Sequence, residues 1–226
     1  MARYVVDGLT LPIAVGNHPA VDLCNTETDW TGATPHEYLV SYPHFCVWSR
    51  EVGLLDAASA ARSLAASSRP GSSADADAVL ARALDFRGAL HRVLTGPAAT
   101  SDWQAIDGEL AANVPALHLR RSAGTDGTAA TAHAAGHTET PIGAWSLTAD
   151  PLGAPLEAVV WAAAGLLTSA RPGDVRACPG ADCGWMFLDP AGRRRWCSMA
   201  WCGNRAKVRR HAQRQRRADS SAPTAH

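Results

Sequence analysis

Four cysteines inside 25 residues constrain this chain more than any other feature. They are spaced Cys178-x4-Cys183, then thirteen residues, then Cys197-x4-Cys202. Two pairs joined by a loop can bring four thiolates to the corners of a tetrahedron, the geometry zinc prefers. A set of four thiolates leaves no open position, so the expectation is one structural Zn2+ that folds a segment too short to bury a core of its own. Disulfides are the poorer reading in a reducing compartment. The start, MARYVVDGLTLPIAVG, lacks the features of a secretory signal. The longest apolar run, Ala158 to Leu167, is ten residues, well short of the roughly 20 needed to span a bilayer. A cytoplasmic protein without a membrane partner is therefore expected. Cys24 and Cys46 stand apart and read as small buried residues.

The formal net charge is zero, but it is unevenly placed. Residues 1–170 carry nine Arg against 17 Asp and Glu, a net of −8, whereas residues 171–226 carry 12 Arg and Lys against four Asp, a net of +8. Opposite charge on two parts of one chain points to different partners for each. The positive part continues past the last cysteine as Arg205-Ala-Lys-Val-Arg-Arg-His-Ala-Gln-Arg-Gln-Arg-Arg217, which reads as an exit helix. Val208 and Ala212, one turn apart, are expected to face the cysteine module. Arg205 and Arg209, and separately Lys207, Arg210, Arg214 and Arg217, fall at i+3 or i+4 spacings on outer faces. Such a helix repels itself until anions neutralise it, and phosphate backbones supply them. Arg193-Arg194-Arg195 adds a basic loop tip between the cysteine pairs.

The body upstream reads as mainly helical with one small β-hairpin. Helices are expected from a Thr34/Glu37 capping box to about Arg50, with a kink or a division into two short helices at Pro43, then over Leu54–Ala66 and Asp75–Leu94. Another opens at a Ser101/Gln104 capping box, and a buried one spans Leu156–Ala170. Leu117–Leu119 and Ala144–Leu147 alternate like strands. Between them, Ser122 to Thr140 reads as a hairpin tip or loop, and its His133 and His137 carry little metal-site signal. The organisation is a helical domain over 1–170, a four-cysteine module over 171–217 and a disordered tail over 218–226.

The segment Cys178-Pro-Gly-Ala-Asp-Cys183-Gly-Trp-Met-Phe187 through Trp196-Cys197 to Cys202-Gly203-Asn204-Arg205-Ala-Lys207 closely resembles the CGNR zinc finger. Upstream, Gly16-Asn17-His18-Pro19-Ala-Val-Asp22-Leu-Cys-Asn25-Thr26 resembles the opening of the ABATE domain, which usually precedes that finger. The resemblance implies a bacterial transcription regulator, in some members linked to stress. One departure is a short loop in which Pro190-Ala191-Gly192 stands where the family carries a Ser/Arg-rich stretch. Asn25 and Thr26 keep two readings: they line a ligand pocket, or they cap a helix and satisfy backbone groups.

No phosphate-cradling glycine loop, nucleophile elbow or His-Glu-x-x-His helix is present, so an enzyme is not expected. The expected function is zinc-dependent DNA binding in transcription regulation. Phosphate contacts would come from Arg193, Arg194, Arg195, Arg205, Lys207, Arg209, Arg210 and Arg214. A homodimer would let one small finger read two half-sites. The alternatives are RNA binding, with Trp185, Trp196 or Trp201 stacking on bases, and docking of the basic module on a protein. The effector of the N-terminal domain is not legible.

Overall fold

A computed structural model describes residues 3–30, 35–96, 98–113, 117–121, 143–147, 150–171, 173–180 and 183–220. The expected loop 122–140, with His133 and His137, lies outside the described residues, as does the end of the chain beyond Ser220.

The chain opens with a hairpin that the sequence analysis does not anticipate. Strands β1 (Arg3–Val6) and β2 (Leu9–Pro12) pair antiparallel. Asp7 and Gly8 turn between them at φ 50° and 77°. Two consecutive left-handed residues match the twist of the flanking strands, so Asp-Gly between apolar runs is itself a hairpin signal. Helix α1 (Pro19–Cys24) follows, with His18 as its cap: the Ala20 N–H donates to His18 Nδ1 at 3.2 Å.

The expected capping box at Thr34 and Glu37 does not open a helix. Thr34 lies outside the described residues, and His36–Glu37 form strand β4, paired with β3 (Glu27–Thr28). The Glu37 carboxylate instead accepts from Leu39 N–H and from Arg87. Helix α2 (Tyr42–Glu51) starts after Ser41. Pro43 sits in its first turn, where a missing N–H costs nothing, so it helps start a helix and does not kink one.

Helices α3 (Ala57–Ser67), α4 (Ser73–Thr95) and α6 (Ala154–Ser169) lie close to their expected spans. The Asp56 carboxylate caps α3 by accepting from Ser59 N–H at 2.6 Å. Helix α5 (Thr100–Asn113) begins slightly earlier than expected. The residue that reaches back is Asp102, not Gln104: its carboxylate accepts from Ala99 N–H at 2.9 Å and from Arg92 Nε at 2.7 Å. Strands β5 (Leu117–Arg121) and β6 (Gly143–Leu147) form the expected hairpin in five-residue register.

The largest buried cluster joins β2, α1, α2, α4 and α6 through Leu11, Leu23, Phe45, Trp48, Phe86, Leu90, Leu156 and Val159. On α6, Leu156, Val159, Val160, Ala163 and Leu166 recur at helical spacing and are all buried. Beyond α6, β7 (Val175–Ala177) pairs antiparallel with β8 (Met186–Leu188). A π-helical turn over Met199–Gly203 then leads into α7 (Asn204–Ser220). Helix α7 thus continues through 218–220, expected to be disordered. Four two-stranded sheets occur among the described residues, more than the single hairpin expected, but the architecture remains mainly α. No described helix is long and apolar enough to cross a membrane.

The cysteine module does not stand apart from the helical body. Met186 of β8 is fully buried in the main core. In return, Tyr38, Ile13 and Val15 pack around the cysteines with Trp185 and Phe187.

Candidate metal centre and its basic exit helix

Cys178 follows β7, and its N–H donates to Trp185 O at 2.7 Å across a tight turn. Cys183 closes that turn through its N–H to Gly180 O at 3.2 Å. Cys202 is carried inward by the π-helical turn, while Cys197 lies just before it. The result brings all four Sγ atoms within 4.8 Å of one another, all of them buried. Cys197 Sγ stands 3.6 Å from both Cys183 Sγ and Cys202 Sγ. A tetrahedral thiolate site with bonds of about 2.3 Å requires S···S separations of about 3.8 Å. The donor set therefore fits a thiophilic divalent cation and, being closed, a structural one.

Without a cation, three of the thiols would share charge unequally. Hydrogen bonds from Cys183 and Cys197 pull Cys178 down to about 2. The same bond to Cys178 raises Cys183 to about 12 and lifts Cys197 well above the ordinary thiol range. Ionising all four in so small a volume requires a cation. Two donors already favour thiolates: Cys197 N–H points at Cys178 Sγ at 3.4 Å, and Arg205 Nη2 at Cys202 Sγ at 3.6 Å. Gly180 is needed for closeness, because a Cβ there would sit 3.0 Å from Cys202 Sγ. Gly203 is buried, and a Cβ on it would come within 2.7 Å of Met199 Sδ. Asn204 Nδ2 donates back to Ala200 O at 3.1 Å, fastening the turn to α7.

The arginines of the loop tip divide by direction. Asp189 organises the loop by accepting Arg194 N–H at 2.7 Å, and Gly192 turns it at φ 65°. That N–H, foremost, holds the Asp189 carboxyl below its usual range. Arg193 and Arg195 are exposed, with the Arg195 guanidinium 5.1 Å above the Trp196 ring. Arg194 points inward, contrary to its assignment as a phosphate contact. Its Nη2 donates to Val15 O at 2.9 Å and Cys197 O at 2.6 Å, and its guanidinium lies 4.4 Å over Phe187. Arg205 is partly engaged by Cys202, while Lys207, Arg209, Arg210 and Arg214 are exposed. Val208 is 69% exposed, so it does not face the module as expected; Ala206 and Ala212 are the half-buried positions of α7. Trp185 is buried, with Nε1 donating to Glu27 O, and cannot stack on a base. Trp201 is exposed.

The motif around residues 16–26 locks the body to β8. Gly16 O accepts Leu188 N–H at 2.8 Å, and Asn17, in a left-handed conformation at φ 60°, donates from Nδ2 to Leu188 O at 3.2 Å. Asn25 brackets Met186: its Nδ2 donates to Met186 O at 2.9 Å, and its Oδ1 accepts Met186 N–H at 2.7 Å. Asn25 also ends α1 as its C-cap. Thr26 Oγ1 donates to Leu23 O and accepts from Arg87 Nη1. Both polar side chains are thus engaged by protein groups. The sequence signal for this lock was the run of Gly, Asn, Asp and Asn around a short helix, but nothing local named its partner more than 160 residues away.

Asp22 completes the lock. Its Oδ1 accepts Val15 N–H at 2.9 Å and Gly16 N–H at 2.7 Å, and burial pushes its carboxyl up to about 6. A Cβ on Gly16 would fall 2.9 Å from that oxygen. Because the folded pKa lies above the unfolded one, Asp22 favours folding most at low pH, and this is lost as pH rises through about 6. Two pKa units correspond to about 3 kcal/mol. Denaturant titrations from pH 4 to 7 are expected to show Asp22→Asn losing less stability over that range than the parent protein, by about this amount. Parallel curves for the two proteins would contradict it.

Compared with known protein families, residues 175–215 match the CGNR zinc finger. Residues 17–170 match the ABATE family, described as "Putative stress-induced transcription regulator". No curated protein matches the chain. With the two matches meeting at the junction between α6 and β7, the chain belongs to the ABATE family and carries a C-terminal CGNR zinc finger.

Proposed function

We propose that the protein is a zinc-dependent DNA-binding transcription regulator. The observation that carries this reading is an exposed arginine helix mounted directly on the four-thiolate cluster. From Pro190 to Ala218 the chain contains nine Arg and one Lys and no Asp or Glu. Most of these basic side chains point into solvent, where their mutual repulsion opposes the fold unless an anion relieves it. DNA presents phosphates at the required density. Zn2+ fits the tetrahedral thiolate donors, and a single ion would hold Cys202 and hence the start of α7 in place. Its contribution is structural.

Phosphate contacts are assigned to Arg193 and Arg195 on the loop and to Lys207, Arg209, Arg210 and Arg214 on the helix. Arg194 instead supports the module from inside, and the exposed Arg205 reaches back to Cys202 Sγ. The acidic N-terminal domain is left to sense an effector or to dimerise, and the lock at residues 16–26 would transmit its position to the finger.

The test is the salt dependence of duplex binding by the zinc-loaded full-length protein. Replacing both Arg209 and Arg210 with Ala is expected to weaken binding and to reduce the slope of log K against log salt by about two, close to one per lost contact. An unchanged affinity and slope would remove α7 from the interface. Equal or tighter binding to RNA or to acidic proteins would replace DNA as the partner.

A further inference from the structure

Six large apolar side chains are strongly exposed among the described residues, and three of them, Met199, Trp201 and Val208, fall within ten positions of the finger. Met199 is 55% and Trp201 48% exposed. Both belong to the π-helical turn that also delivers Cys202 to the thiolate cluster. A π-turn is a rare backbone form that recurs at functional sites. Here its wider circuit buries Cys202 and Gly203 while leaving Met199 and Trp201 outside.

The turn is held from several sides. Gly203 N–H donates to Ser198 O at 3.1 Å, Asn204 caps it through Ala200 O, and Arg205 reaches Cys202 Sγ. Two bulky apolar groups are thereby fixed in water on a rigid mount. Core packing does not account for them, since burial would place them on the other side of the turn. Their surroundings select the partner: the flanking stretch is rich in arginine and free of acidic side chains. An apolar protein or lipid surface would not need that charge, and an acidic protein would not need the projecting indole. A polyanion with apolar faces inside it satisfies both, and stacked bases between phosphate strands have that composition.

We infer that Met199 and Trp201 form an apolar wedge that enters a base step of duplex DNA while the neighbouring arginines hold the phosphates. The inference rests on the DNA-binding reading above and adds how the duplex is deformed. Wedges of this type partly unstack one step and bend the helix. Pyrimidine–purine steps yield most easily, so the wedge would favour TA and CA steps without reading their hydrogen-bonding edges. Trp201 supplies the stacking face, and Met199 a flexible apolar filler.

The experiment uses zinc-loaded full-length protein and duplexes containing TA steps, read by permanganate oxidation, which marks thymines that have lost their stacking. Binding affinity and its salt slope are measured on the same duplexes. The parent protein is expected to make individual thymines reactive. Trp201→Ala is expected to abolish that reactivity and to weaken binding between about 5-fold and 150-fold, the range for losing one stacked base. Its salt slope and zinc content should stay unchanged, and Trp201→Phe should restore most of both signals. Unchanged zinc content and thermal unfolding in Trp201→Ala separate loss of the wedge from loss of the fold.

Duplex binding without thymine reactivity, or with equal affinity in Trp201→Ala, overturns the wedge and leaves the phosphate-binding reading standing. Binding confined to single strands overturns the duplex wedge. Failure of the parent protein to bind any duplex overturns both readings together.

Discussion

Cys197→Ser is expected to release the metal and to unfold the chain from β7 onward. Cys197 is the middle of the cluster, within 3.6 Å of two other sulfurs, and its N–H also supports Cys178. Structural zinc supplies an apparent ~10–16 kcal/mol in isolated finger peptides, so loss of one of four ligands forfeits a large part of a term of that size. The effect should spread. Phe187, Trp185 and Tyr38 pack directly on the cysteines, and Met186 is buried in the main core. Metal content, near-ultraviolet circular dichroism from the packed tryptophans, and melting temperature would all fall in this variant. A chelator should produce the same changes in the parent protein, and more readily as pH falls, because protons compete with the metal for thiolates. A variant that keeps full metal content and an unchanged melting temperature would show that the cluster is not a metal centre.

Arg87→Ala is expected to cost about 3–5 kcal/mol, the range for removing one partner of a buried ion pair. Arg87 rises from α4 and is only 4% exposed. Its guanidinium is shared between Glu27 of β3, at 2.8 Å, Glu37 of β4, and the hydroxyl of Thr26. It also lies 5.7 Å from the centre of the Trp30 ring. The small β3–β4 pair has two residue partners in register and depends on that clamp for its position. Without Arg87, two carboxylates face each other across a partly buried gap. Burial already raises Glu27, and Arg87 opposes that rise. In the variant the Glu27 carboxyl should move further upward, so its folded state favours protonation. The deficit should therefore be largest at neutral pH and shrink as pH falls through the raised Glu27 value. Chemical denaturation at pH 7 and pH 5 measures this; a loss under about 1 kcal/mol, or one independent of pH, would mean that Arg87 is replaceable by water.

The Asp22, Arg87 and cysteine variants probe one continuous piece of structure. Thr26 touches Arg87, its neighbour Asn25 holds Met186, and Met186 sits two residues after Gly184, itself packed on Trp30. These contacts join the helical body to the finger, so a disturbance in one is expected to reach the other.

Several features were legible because their causes are local. The thiolate set follows from four cysteines at paired spacings, and the exit helix from a run of helix-forming basic residues ending the chain. Helices α3, α4 and α6 follow from apolar periodicity, with Asp56 before α3, Ser72 before α4 and Pro155 in the first turn of α6. The β5–β6 hairpin follows from alternation on both arms. The Asp7-Gly8 turn is equally local, flanked by strands of only four residues each. The false helix start at Thr34 has a different origin: a capping-box pattern describes what Glu37 could do for a helix, and a buried arginine fifty residues away competes for the same carboxylate.

The sequence by itself determined the four-cysteine cluster, the helical class of the body and the charge division between its two parts. Each depends on side-chain chemistry and short-range spacing. Only the tertiary structure decided which arginines face solvent, because Arg193, Arg194 and Arg195 are chemically alike and differ only in what packs beside them. It also decided that Trp185 is buried while Trp201 is exposed, and that the residues 16–26 fasten the finger to the body. Those outcomes depend on which surfaces meet after folding, and pairings across more than 160 residues leave no trace in local periodicity.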